Sequence, residues 1–155
     1  MKHINLLLAD DDEDDRLFFE EALAELSPGS SVTIKKDGKE TLSYLAQPQS
    51  ILPDIIFLDL NMPFVDGIIC LEEIRKNFLT RDIFVVINTT TASQREIDLA
   101  FEKGANLFLI KPNSFVELKK SIEVILNLDL IKFFHMQKRE QFVFNLTKYT
   151  APGFM

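Results

Sequence analysis

The sequence of 155 residues has little of two features that mark large classes of proteins. Its single cysteine, Cys70, excludes an internal disulfide, and the apolar neighbours of Cys70 indicate a residue packed inside a helix. Its longest apolar run near the start, residues 4–9, is short, because it is interrupted by Asn5 and followed at once by acids. A signal peptide and a membrane span are therefore not predicted, and we expect a cytoplasmic protein with no membrane partner.

Positive charge is also in deficit. Against 24 acidic residues the chain has 17 basic ones, which leaves a net charge of −7. This sign opposes the phosphate backbone that supplies most nucleic-acid affinity, so we expect no nucleic-acid partner. A hydrophobic content of 46% and a charged content of 26% fit one compact domain with a single core.

Short apolar runs alternate with stretches of helical period, a pattern that predicts a doubly wound parallel α/β sheet of five βα units. The predicted strands cover residues 4–9, 32–35, 55–59, 83–88 and 107–110. All but the second are almost continuously apolar, as strands covered on both faces should be, whereas the second alternates and is predicted to lie at an edge. The helix after the third strand is predicted to bury Ile68, Leu71, Ile74 and Phe78.

Polar side chains collect where the predicted strands end. Asp10 and Asp11 follow the first strand, Asp59 ends the third, Thr89 follows the fourth and Lys111 follows the fifth. Ligands of open parallel sheets bind beyond the carboxyl ends of the strands, so these groups should share one crevice.

Three aspartates in one crevice require a compensating cation. Unit charges about 4 Å apart repel by about 4 kcal/mol at an effective dielectric of about 20. Lys111 supplies one positive charge, and carboxylate and carbonyl oxygens suit Mg²⁺ for the rest. Such a site meets the needs of phosphoryl transfer, with Asp59 as the nucleophile.

Four motifs in this order resemble the receiver domains of bacterial response regulators. They are LLLADDD at residues 6–12, FLDLNMP at 57–63 followed by DG at 66–67, INTT at 87–90, and GAN at 104–106 with LIKP at 109–112. The resemblance covers residues 3–127 and implies the flavodoxin-like strand order 2-1-3-4-5, for which a chemotaxis receiver is a known example.

The resemblance implies roles for residues of the metal site. Asp59 matches the phosphoacceptor, and Asp10 and Asp11 match the acidic pair. Asp11 is expected to bind Mg²⁺ directly together with Asp59 and the backbone carbonyl of Asn61, while Asp10 acts mainly through water. The other acids of residues 12–15 are assigned mostly to helix capping and to favourable charge at the helix start.

Further positions match the switch of the family. Thr89 matches the hydroxyl that bonds the phosphoryl oxygen, and Lys111 matches the lysine that pairs with it. Phe108 stands where many relatives carry Tyr; lacking a hydroxyl, its ring should populate the inward position readily, so the resting protein should sample its active surface. The resemblance also suggests a cis peptide before Pro112.

The implied function is that of a stand-alone response regulator, a phosphoacceptor switch and not an enzyme. A sensor histidine kinase or a histidine phosphotransfer protein would donate the phosphoryl group, and the output would be altered protein contacts. Residues 128–155 form an extension too short for a winged helix or a similar output domain. The chain could serve as a relay intermediate or as a terminal switch.

Several alternatives stay open at this stage. An aspartyl-phosphate hydrolase would place a second acid where this chain has Asn61, and a pseudo-receiver would bind partners without phosphorylation. In the extension, residues 141–147 have strand propensity without a clear partner. The extension is predicted to lengthen the last helix and pack on the body, or else to form a partner or homodimer contact through exposed Phe side chains.

Overall fold

The computed structural model describes residues 3–90, 93–135 and 138–149. Its sheet has five strands: β1 (Asn5–Ala9), β2 (Ser31–Lys35), β3 (Ile55–Leu58), β4 (Phe84–Thr89) and β5 (Leu107–Ile110). All pairings are parallel, and the order is β2-β1-β3-β4-β5. The predicted flavodoxin-like order is therefore confirmed, as is the edge position of the second strand.

Within the described ranges, five helices alternate with the strands and three short ones follow them. They are α1 (Glu13–Leu26), α2 (Gly38–Ala46), α3 (Gly67–Lys76), α4 (Gln94–Glu102), α5 (Phe115–Leu126), α6 (Leu130–His135), α7 (Arg139–Phe142) and α8 (Leu146–Tyr149). Each of α1 to α5 begins after a residue whose side chain accepts a backbone N–H three positions on, namely Asp12, Asp37, Asp66, Ser93 and Ser114. These caps satisfy N–H groups that the first helical turn leaves unpaired.

The sheet is buried on both faces, which explains its nearly continuous apolar strands. Successive residues of β1 point to opposite sides: Leu6 and Leu8 join a cluster with Phe19 of α1, whereas Leu7 joins a second cluster with Leu71 of α3. Cys70 belongs to the second cluster and is fully buried, as predicted. No helix of the described residues is long and apolar enough to cross a membrane.

The predicted burial of Phe78 is wrong. α3 ends at Lys76, and Phe78 is 75% exposed beside the guanidinium of Arg81. Asn77 takes an extended conformation, and its carboxamide oxygen accepts the backbone N–H of Leu79. This asparagine turn competes with the helix and ends it one residue before the apolar stripe would continue.

The extension packs on the body, as predicted, but it does not lengthen the last helix. α5 ends at Leu126, and Asn127 caps it through backbone and side-chain hydrogen bonds to Glu123. Residues 141–147 do not form the expected strand, since their pairing with the sheet is one parallel bridge between Val143 and Phe108.

The Phe side chains of the extension are mostly covered, which does not fit the expectation of exposed Phe contacts. Phe142 and Phe144 are buried, and Phe133 and Phe134 are partly buried. Phe154 lies outside the described residues.

The described residues contain no cis peptide bond, so the suggested cis peptide before Pro112 is wrong. The backbone N–H of Lys111 donates to the carbonyl of Thr89 at 2.8 Å and continues the β4–β5 ladder past the strand end. The chain then runs on to the Ser114 cap of α5 in the trans form that X–Pro bonds generally favour.

Candidate functional site

The carboxyl ends of four strands bring the predicted site residues together. Asp10 and Asp11 follow β1, Asp59 follows β3, Thr89 ends β4 and Lys111 follows β5. The Nζ atom of Lys111 lies 2.8 Å from Oδ2 of Asp10 and 3.2 Å from Oδ2 of Asp59. Residues far apart in the sequence therefore meet at one edge of the sheet.

Two tight turns aim the carboxylates of this site. Oδ1 of Asp10 accepts the backbone N–H of Asp12 at 2.9 Å, and Oδ1 of Asp59 accepts the backbone N–H of Asn61 at 3.1 Å. Side chains that bond their own backbone two residues on are typical of Asx turns. Gly67 lets the chain after Asp59 close tightly, since a Cβ there would lie 2.3 Å from the Asp59 carbonyl oxygen.

Lys111 has a third carboxylate partner that the sequence analysis did not single out. Oδ2 of Asp15, in the first turn of α1, lies 2.8 Å from Nζ of Lys111. Asp12 caps the helix as expected, so the acidic run combines a capping residue with a partner of the site lysine. Nothing in the sequence distinguishes Asp15 from its acidic neighbours until the start of α1 is fixed.

Burial and charge act against each other at this site. Burial raises the pKa of Asp10 to about 6, although hydrogen bonds from Lys111 and from the Asp12 N–H favour its charged form. Burial lowers the pKa of Lys111, but hydrogen bonds with Asp10 and Asp15 and the charges of Asp10 and Asp59 outweigh it and leave the pKa above its ordinary value. Lys111 therefore stays an ammonium at neutral pH.

Three carboxylates of the site are arranged as possible metal ligands. One oxygen from each of Asp10, Asp11 and Asp59 lies within 4.8 Å of the other two. Asp10 and Asp59 are buried, whereas Asp11 is exposed. Hard oxygen donors with one solvent-facing member fit a small divalent cation that keeps some of its water.

The side chain of Thr89 is fully buried at the end of β4. Its Oγ1 accepts the side-chain amide of Asn61 at 3.4 Å, a long hydrogen bond that is easily exchanged. Ile87 pairs in register with Phe108, and Thr89 lies two residues on along β4, so Thr89 and Phe108 share one face of the sheet.

Two neighbours of the site were missed by the sequence analysis. The guanidinium of Arg16 donates to the backbone carbonyl of Asp10 at 2.9 Å. The buried Asn88 has a side-chain oxygen with no hydrogen-bond partner among the described residues, and it lines a cavity of about 240 Å³ between α1 and the start of α5. Lys111 lines the same cavity, which therefore adjoins the carboxylate cluster.

The family described as "Response regulator receiver domain" matches residues 6–123. The chain belongs to this family. Receiver domains function in two-component signalling, where histidine kinases phosphorylate them, and they generally bind Mg²⁺ at an acidic pocket. In this chain Asp10, Asp11 and Asp59 form an acidic cluster.

Individual relatives support the assignment. The receiver domain is 33% identical over 123 residues to a probable methanogenesis regulatory protein, FilR2, of Methanothrix harundinacea, covering 77% of this chain and 79% of the relative. It is 30% identical over 124 residues to response regulator Rcp1 of Synechocystis sp., covering 77% and 84%.

Solved structures agree with the fold. The phosphorylated cyanobacterial phytochrome response regulator RcpA superposes with a TM-score of 0.75 at 29% identity, covering 80% of this chain and 91% of that one. The Mn²⁺-bound form of Rcp1 superposes with a TM-score of 0.74 at 29% identity, covering 82% and 94%.

Proposed function

We propose that Asp59 accepts a phosphoryl group from the phosphohistidine of a sensor histidine kinase or a histidine phosphotransfer protein. The observation that carries this proposal is the position of Asp59, whose carboxylate lies in a cluster of three and 3.2 Å from the Lys111 ammonium. The phosphorylated state of the similar RcpA protein gives further support.

The carboxylate cluster fits Mg²⁺ by its donor chemistry. Asp11, Asp59 and the backbone carbonyl of Asn61 would hold the ion, with Asp10 acting mainly through water. When bound, Mg²⁺ supplies positive charge that neutralises the phosphoryl oxygens. The Mn²⁺-bound form of the similar Rcp1 protein supports a divalent cation here.

The residues of the chain account for the transfer step. A carboxylate oxygen of Asp59 attacks phosphorus in line, the bond between phosphorus and the donor imidazole nitrogen breaks, and its electron pair leaves with the imidazole. Lys111 already lies against Asp59, so its ammonium holds a phosphoryl oxygen and offsets the charge that the transfer adds.

Thr89 and Phe108 transmit the change. The hydroxyl of Thr89 exchanges its long hydrogen bond with Asn61 for one to a phosphoryl oxygen, and Phe108 fills space on the same face of the sheet. The altered surface involves α4, β5 and α5, and the output is a change in protein partners.

This proposal assigns residues 3–127 to the receiver and residues 128–155 to an extension. The excess of acidic residues disfavours nucleic acid as a partner. As a separate part of the proposal, we place the protein in the cytoplasm. Reverse transfer to a purified histidine phosphotransfer domain distinguishes the two roles: a relay intermediate passes its phosphoryl group on, and a terminal switch retains it.

An aspartyl-phosphate hydrolase is the rival function. Such an enzyme needs a proton-transferring acid near the nucleophile, and Asn61 instead presents an amide that donates to Thr89. We therefore expect negligible turnover of a generic aryl phosphate, and rapid turnover would favour the hydrolase.

The proposal is tested by labelling with acetyl phosphate and Mg²⁺, followed by intact-protein mass spectrometry. Wild-type protein should gain one phosphoryl group and Asp59→Asn should gain none. Asp14→Asn is the matched control, because Asp14 is an exposed acid outside the carboxylate cluster, and it should label like the wild type. Persistent labelling of Asp59→Asn would show that another residue is the acceptor.

A further inference from the structure

Residues 139–144 of the extension, here called the latch, lie against α4 and β5. Phe142 is fully buried. Its ring packs edge-to-face on Phe101 of α4, with ring centres 5.1 Å apart, and on Phe108 of β5, with ring centres 5.9 Å apart. A single side chain of the latch thus bridges the helix and the strand. Aromatic pairs of this geometry contribute beyond the area that they bury.

The latch also occupies the open edge of the sheet. The backbone N–H of Phe144 donates to the carbonyl of Phe108 at 2.7 Å, and Val143 forms a parallel bridge with Phe108. β5 is the last strand in the sheet order, so the latch covers part of an edge whose backbone groups would otherwise face solvent.

An exposed ion pair joins the start of the latch to α4. The guanidinium of Arg139 forms an ion pair with Asp98 of α4 and lies 5.2 Å from the centre of the Phe101 ring. Backbone, aromatic and ionic contacts therefore hold the latch on the same two elements.

The position of Phe108 connects the latch with the phosphoacceptor site. Phe108 is fully buried, and it lies on the same face of the sheet as Thr89. The Phe142 ring covers it at the edge where β5 has no further neighbouring strand. An outward swing of the Phe108 ring would meet Phe142, so the docked latch selects the inward position of Phe108.

We propose that the latch is an intramolecular ligand of the α4–β5 face and that its docking is positively linked to phosphorylation of Asp59. The linkage rests on the proposed function, in which the phosphoryl group draws Thr89 inward and favours the inward Phe108. Both events select the same position of one ring, so each strengthens the other. By reciprocity, a docked latch favours phosphorylation of Asp59 by the same factor by which phosphorylation favours docking of the latch. Loss of the latch removes this gain.

Hydrogen exchange of the Phe144 amide measures latch docking directly, because this N–H donates to Phe108 only when the latch is docked. NMR follows the exchange of the full chain with Mg²⁺, with and without excess acetyl phosphate, and intact mass reports the labelling of the same samples. We expect protection of the Phe144 amide to rise about fivefold or more in the labelled protein.

Two variants and two matched controls make the test specific. Asp98→Lys places a like charge against Arg139, and Phe142→Ala removes the bridging ring. Both should lower the protection of the Phe144 amide, and Phe142→Ala, which removes the ring that joins the latch to Phe108, should also abolish the rise of that protection on labelling. Glu102→Lys changes the same charge on an exposed position of α4, and Phe78→Ala removes a ring that is 75% exposed, so both should behave like the wild type.

The outcomes separate this inference from the proposed function. A labelled wild type whose Phe144 protection stays constant or falls would refute the linkage and leave the phosphoacceptor assignment standing. The same conclusion follows if Phe142→Ala, which lacks the ring against Phe108, retains the full rise. An unlabelled wild type would refute the proposed function and the linkage with it.

Discussion

Replacing Lys111 with methionine keeps most of the side-chain volume and removes an ammonium that lies within 3.2 Å of three carboxylates. Two of these partners, Asp10 and Asp59, are buried. The variant leaves their negative charges without this partner, in a place where water screens them poorly. We therefore expect Lys111→Met to reduce the free energy of unfolding substantially when no divalent cation is present.

The magnitude follows from the geometry. Carboxylate oxygens of Asp10 and Asp59 lie within 4.8 Å of each other, a distance at which unit charges repel by about 3.5 kcal/mol at an effective dielectric of about 20. Removing one partner of a buried ion pair generally costs about 3–5 kcal/mol. We expect a loss in this range in EDTA and a smaller one in excess Mg²⁺, since the dication replaces the missing positive charge.

Urea unfolding in EDTA and in excess Mg²⁺ measures both quantities. Lys103→Met is the matched control, because Nζ of Lys103 lies 3.7 Å from Glu72 in a pair whose side chains are both about one-third exposed. Such surface pairs contribute about 0–1 kcal/mol. If Lys111→Met loses no more stability than Lys103→Met in EDTA, the reasoning about the buried cluster is refuted.

Other predictions concern supporting residues. Asn106→Ala removes the oxygen that accepts N–H groups of Val85 and Arg75, and it should reduce the free energy of unfolding, measured in urea, by about 2–4 kcal/mol. Asn106→Asp keeps an acceptor and should lose less, so an equal loss in both variants would contradict this. Asp11→Asn should reduce the rise in melting temperature that Mg²⁺ gives, and an unchanged rise would remove Asp11 from the metal site. Gly104→Ala should cost about 1–3 kcal/mol, because φ is 98° there; a neutral effect in thermal unfolding would contradict this.

The sequence was sufficient to predict the sheet and most of the site. Continuous apolar runs correspond to strands with buried residues on both faces, and the alternation at residues 32–35 correctly predicted the edge strand β2. The strand order came from the family resemblance. Asp10, Asp11, Asp59 and Lys111 converge as expected, since parallel strands end at one edge of the sheet.

Details that depend on local competition were not predictable from periodicity. The stripe that includes Phe78 continues in the sequence, but the Asn77 side chain ends α3 first. Asp15 has the same residue type as its neighbours, and its role depends on the helix register that places it against Lys111.

The extension shows a different limit of sequence reasoning. Residues 141–147 have the propensity of a strand, but propensity does not specify a partner. Their placement is decided by tertiary contacts, above all the insertion of Phe142 between Phe101 and Phe108. β5 is apolar although it lies at an edge, because Leu107 and Leu109 pack into one core cluster and Phe108 packs into the other, together with Phe142 of the extension.

Site-resolved mass spectrometry after incubation with acetyl phosphate, in Mg²⁺ and in EDTA, tests the central claim most directly. The predicted result is one phosphoryl group located on Asp59 in Mg²⁺ and a strong decrease of that labelling in EDTA. Labelling of a different residue, or equal labelling of Asp59 in both conditions, would contradict the assignment of Asp10, Asp11 and Asp59 as a magnesium-dependent phosphoacceptor site.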